Sequence, residues 1–222
     1  MTTPTRTTNR GGDVSVLRSL RSLMPQRILS YPDALQRAEA QANRLLALHQ
    51  IQSAPVPIEI VTELPHVRIE KSYDLPVSGS ALWDGSCWVI TLNAAEYNLR
   101  QRFSVLHEYK HIIDHPTRHL ICGDKKMSAE QMAEKVADYF AACVLMPKAW
   151  VKAAFFGRTQ SVEQLARLFH VSAKAMSFRL QQLGLVEPTR RQPTSAVVGS
   201  GRSSRPHYFR AQSVSRELVC SL

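Results

Sequence analysis

The sequence predicts an α+β fold: mainly helical, with a small antiparallel sheet, followed by a helix-turn-helix-like helical region. Three patterns lead there. Two apolar runs of strand type flank Asp84-Gly85. Two long segments repeat apolar residues at helical spacing. Residues 161–186 read as two short helices joined by a tight turn.

In chain order, residues 1–13 are Thr, Arg and Gly with almost nothing apolar and read as disordered. Val14, Val16, Leu17, Leu20, Leu23 and Ile28 suggest a short basic amphipathic helix that stops before Pro25. From Pro32 to His49, Ala34, Leu35, Ala38, Ala42, Leu45, Leu46 and Leu48 share one side of a helix, with Pro32 in its first turn. Residues 56–64 are bracketed by Pro57 and Pro65 and favour a short helix over a strand. HVRIEKSY (66–73) alternates, and 80–83 and 86–92 form a hairpin around Asp84-Gly85. Leu99, Phe103, Leu106, Ile112 and Ile113 mark a helix from Tyr97 to Asp114, ended by His115-Pro116. Ser128 caps a second helix that runs to Leu145 and stops at Met146-Pro147. Ser161 with Gln164, Ser172 and Gly184 supply the caps of the last two helices.

Composition narrows the function. The chain has 222 residues, of which 44% are apolar, enough for a real core. It holds no run of 18 apolar residues, so no membrane contact is expected. The N-terminal segment lacks the apolar stretch of a secretory signal. Cys87, Cys122, Cys143 and Cys220 form no CxxC pair, which fits reduced thiols in a cytoplasmic protein. The net charge is +10, but nine of those ten charges lie at the ends: five Arg against one Asp in 1–31, and six Arg against one Glu in 188–222. A folded basic groove would keep its excess in the fold, so any nucleic-acid contact is expected to be weak and through the tails.

The chemistry concentrates in His107-Glu108-Tyr109-Lys110-His111, an HExxH. On a helix, residues four apart project from one face, so His107 and His111 can share one Zn2+. Glu108 then reaches beside the ion, where it can take a proton from the attacking water and return it to the leaving amine. Positions 114 and 117 are Asp and Thr, not the Gly and His of a metzincin. Glu134 and Asp138, four apart on an otherwise apolar helix, are costly to bury without a cation or hydrogen-bond partner. They suggest Glu134 as third metal ligand and Asp138 as acceptor from a ligand imidazole N–H.

Arg102–His115 (RFSVLHEYKHIIDH) and Glu134–Pro147 (EKVADYFAACVLMP) together resemble the ImmA/IrrE family of zinc metallopeptidases. The departure is Lys110, where members often carry Gly. The resemblance implies a zincin-like peptidase domain over 32–150 and a helix-turn-helix-like region over 151–187; composition sets these between a basic, largely disordered segment at 1–31 and a disordered basic tail at 188–222. It also implies cleavage of a DNA-binding repressor, itself carrying a helix-turn-helix, in stress-response or mobile-element regulation.

Other residues compete for roles. His115, His119, Tyr109 and Tyr139 are candidates for stabilising the oxyanion, with structural caps or packing as the plainer reading. Trp83 and Trp88 read as hairpin packing. The strand Cys87–Leu92 is a candidate sheet edge over the site, able to take substrate as an added strand. Only Arg167, Lys174 and Arg179 are basic in 161–186, which favours packing or substrate docking over DNA reading. The rival function is a DNA-binding or antitoxin-type module with a structural metal.

Overall fold

A computed structural model describes residues 13–121, 123 and 127–187. The disorder expected for 1–12 and 188–222 concerns residues outside these. The elements are α1 (Asp13–Arg21), α2 (Tyr31–Leu48), α3 (Glu59–Thr62), β1 (Val67–Ser72), β2 (Gly79–Trp83), β3 (Trp88–Asn93), α4 (Asn98–Asp114), a 3-10 turn (His115–Leu120), α5 (Ala129–Leu145), α6 (Lys148–Gly157), α7 (Val162–Phe169) and α8 (Ala173–Gln182). The fold is α+β and mostly helical. No single helix among the described residues is long and apolar enough to cross a membrane.

Local chemistry explains the boundaries. The Ser30 side chain accepts from the Asp33 N–H and opens α2, with Pro32 in the first turn. Ser128 and Gln131 close a reciprocal capping box at the start of α5. Ser161 and Ser172 cap α7 and α8 through their side chains, which accept from the Gln164 and Ala175 N–H groups. Asp84 Oδ1 accepts from the Ser86 and Cys87 N–H groups, fixing the β2–β3 turn, and Gly85 takes the positive φ of 102° that this turn requires.

The sheet is mixed, not wholly antiparallel. Its order is β1-β3-β2, with β2 antiparallel and β1 parallel to β3. Two successive reversals, at 73–78 and 84–87, leave β1 and β3 running the same way. Alternation along a strand sets its faces but not its neighbours, so the sequence could not show this. The strand expected at the sheet edge, β3, is therefore central, and the edges are β1 and β2. Val89 and Ile90 of β3 are buried, as a central strand requires.

Helix α5 lies in the middle of the core. It packs on α2 and α4, burying Val136, Ala137, Phe140, Ala141 and Val144 against Ala38, Leu45, Leu106, Ile112 and Ile113 among others. The core reaches beyond the segments expected to bound it. Leu20, Met24 and Leu29 are buried, and α1 is fastened to α4 by Arg21, which donates to the carbonyls of Ile112 at 2.8 Å and Ile113 at 3.2 Å. Helix α6 went unread in the sequence. It buries Val151 and Ala154 before α7 begins.

Candidate metal centre

Two helices bring the acidic and imidazole groups together. On α4, His107 and His111 are one turn apart, with their Nε2 atoms 3.1 Å from each other. On α5, Glu134 presents Oε2 at 3.3 Å from His107 Nε2 and Oε1 at 3.4 Å from His111 Nε2. Asp138, one turn further, has Oδ1 at 2.9 Å from His107 Nδ1. A carboxylate only accepts, so His107 donates from Nδ1 and turns its Nε2 lone pair toward the cluster.

These distances fit a metal. A tetrahedral Zn2+ bound at about 2.0–2.1 Å sets its ligand atoms about 3.3–3.4 Å apart; the two imidazole nitrogens stand near that spacing, each has a different Glu134 oxygen at a similar distance, and one ligand atom from each of the three residues lies within 4.8 Å of the others. The chemistry of the donors fits as well. Glu134 Oε2 is buried and receives no hydrogen bond, an orphan that an ion would satisfy. Burial opposes charge on both His107 and Glu134. The neighbouring Asp138 and Glu134 carboxylates nevertheless hold the His107 imidazole up at about 10. The neighbouring His107 and His111 imidazoles hold the Glu134 carboxyl down at about 2. Within the described residues, His107, His111 and Glu134 are the group of metal-ligating side chains close enough to share one ion.

Glu108 lies beside these three and against the sheet. Its side chain is buried, and burial pushes its carboxyl up from the ordinary range, against the pull of His107 and His111. That moves it toward the working pH of a general base. It lies under the first residue of β2: a Cβ added to Gly79 would stand 3.0 Å from Glu108 Cγ and 3.1 Å from Oε1. Sequence reasoning missed Gly79. Its one signal was a lone glycine at a strand start, which often marks a close approach. Tyr31, at the start of α2, was missed too. Burial, and then the charge of Asp138, push its phenol up.

Other expectations are redirected. Tyr109 is fully buried within the core, and Tyr139 donates to Glu39 at 3.1 Å, so neither faces the cluster as an oxyanion donor. His115 packs against the Trp88 ring at 5.0 Å, itself 5.5 Å from Trp83. Lys110 points inward, 1% exposed, and pairs with both oxygens of Asp114. Arg179 is no base reader: it is buried, donates to Met146 O at 3.0 Å and to Cys143 Sγ, and stacks over Tyr139. That leaves Arg167 and Lys174 as the basic groups of the α7–α8 pair.

No curated protein sequence matches the chain. A solved Mycobacterium tuberculosis transcriptional regulator shares its fold with a TM-score of 0.53 at 16% identity, over 75% of this chain and 51% of that one. The chain thus spans about half the length of that regulator. The IrrE N-terminal-like domain of the Peptidase M78 family matches residues 65–181, a stretch that runs from β1 to the end of α8 and contains the whole His107–His111–Glu134 cluster, and the chain belongs to that family.

Proposed function

We propose that this chain is a zinc-dependent endopeptidase that hydrolyses a peptide bond in an intracellular protein, a helix-turn-helix repressor of stress-response or mobile-element genes. The observation that carries the reading is the convergence of His107, His111 and Glu134, each with a ligand atom within 4.8 Å of the others, with a buried carboxylate, Glu108, on the next residue of the same helix as His107. His107, His111 and Glu134 would hold the ion. Zinc, when bound, supplies a Lewis acid that polarises the scissile carbonyl and makes water nucleophilic near neutral pH. Glu108 accepts the proton of the attacking water and passes it to the leaving amine. Asp138 fixes the His107 tautomer and ring plane. The free edge of β2, beginning over Glu108, offers backbone hydrogen bonds to an extended substrate.

The regulator fold of the solved neighbour supports a place in gene control, here through removal of a repressor. The rival reading, DNA binding by α7 and α8, loses one of its three basic side chains to the interior with Arg179. The test is incubation of the zinc-loaded protein with the repressor encoded beside it. Cleavage is expected from the wild type. Glu108→Gln should lose it by about 1,000-fold or more, the upper end of what a general acid–base contributes, while retaining zinc. Cleavage by Glu108→Gln at the wild-type rate would remove the assigned base.

A further inference from the structure

Strand β2 pairs with β3 on one side and meets no strand on the other, among the described residues. Its start is pinned over Glu108 by Gly79. Side chains alternate along a strand, so Gly79, Ala81 and Trp83 share the face turned toward α4, and Leu82 points the other way. At about 3.3 Å per residue, Trp83 stands about 13 Å along the edge from Gly79. Its ring is 47% exposed. It leans on Trp88, its cross-strand partner, and Trp88 leans on His115 at the end of α4. Asp84, the next residue, is held by Arg68 at 3.0 Å, which also meets Glu70 at 3.0 Å. The site face of this edge therefore ends in a half-covered aromatic wall.

We propose that Trp83, backed by Trp88 and His115, is a specificity subsite for an aromatic or large aliphatic side chain of the substrate, about four residues from the bond that is cut. The proposal rests on the proteolytic reading. A peptide added to the β2 edge places the residue opposite Trp83 on the same face, and four residues separate that position from the one opposite Gly79. An aromatic or leucine side chain there covers the exposed part of the Trp83 ring, while a charged one would be desolvated without a partner.

The test uses the zinc-loaded full chain and a library of synthetic dodecapeptides of mixed sequence, with cut sites read by mass spectrometry. Phe, Tyr, Trp and Leu are expected to be enriched about three- to tenfold at the third to fifth position on one side of the cut. Trp83→Ala should lose this enrichment and Trp83→Phe keep it, with zinc content unchanged in both. A second arm measures binding of labelled Gly-Ser dodecapeptides carrying a single Phe at successive positions to zinc-loaded Glu108→Gln protein. Cutting without positional preference, or with a preference that Trp83→Ala leaves intact, overturns the subsite and leaves the peptidase. Position-dependent binding that Trp83→Ala abolishes, with no cutting by the wild type, upholds the subsite and overturns the peptidase. Neither cutting nor position-dependent binding overturns both.

Discussion

Glu108 has its metal-side neighbours on α4 itself and its ceiling on β2. That ceiling is a glycine, and the 3.0 Å that a Cβ would leave is tighter than ordinary contact. Gly79→Ala should therefore tilt the carboxylate without touching a metal ligand. The expected result is a fall in kcat of about 10- to 100-fold at constant zinc content, since sub-ångström to ångström misplacement of a reacting group has effects of that order. Unchanged kcat would mean that Glu108 yields freely. Lys110 sits between the two motif residues and the core, paired with Asp114 at the far end of α4. Breaking such a pair strands a buried carboxylate, so Lys110→Met should cost about 3–5 kcal/mol in denaturant unfolding, with much of it recovered by adding Asp114→Leu. A loss below about 1 kcal/mol, the range of an exposed pair, would contradict the buried geometry.

At the scale of elements, the β2–β3 turn shows how one side chain sets a hairpin. The Cys87 and Ser86 N–H groups, then the Ser86 hydroxyl, donate to Asp84 and hold its carboxyl well below the usual range. A carboxyl whose folded pKa is depressed contributes its stabilisation above its unfolded pKa and loses it as pH falls through the folded value. The near-UV signal of the Trp83–Trp88 pair should therefore stay flat from neutral pH down to about 4, the unfolded carboxyl value, and decay only in stronger acid. Decay between pH 7 and 5 would show that the turn is held otherwise. The elements most legible in the sequence were those with clear start or stop signals: α2 with Pro32 in its first turn, α5 from Ser128 to Met146, and the Asp84-Gly85 turn. The sheet order was not legible, because β1 alternates equally well beside either neighbour. Helix α6 hid because Lys148–Gly157 begins at a proline with no side-chain cap.

Across the whole molecule, the candidate metal ligands meet because α5 packs beside α4 and carries Glu134 and Asp138 in on a largely apolar helix. The sequence showed the candidate ligands, since carboxylates four apart on such a face need a cation or a donor. It did not show what surrounds them. Gly79 comes from 29 residues upstream of Glu108, Arg21 reaches the α4 carbonyls from a short N-terminal helix expected to lie outside the peptidase domain, and Arg179 looked like a surface base until packing turned it inward. Each depends on contacts between distant segments that no local pattern encodes. The central claim is that α4 and α5 together hold one divalent ion, and zinc content after dialysis tests it most directly. The wild type should retain about one zinc per chain, an ion held by two imidazoles and a carboxylate, and Glu134→Ala and His111→Ala should each retain little or none. A wild-type protein that binds no zinc, or a Glu134→Ala variant that keeps it undiminished, would contradict the account.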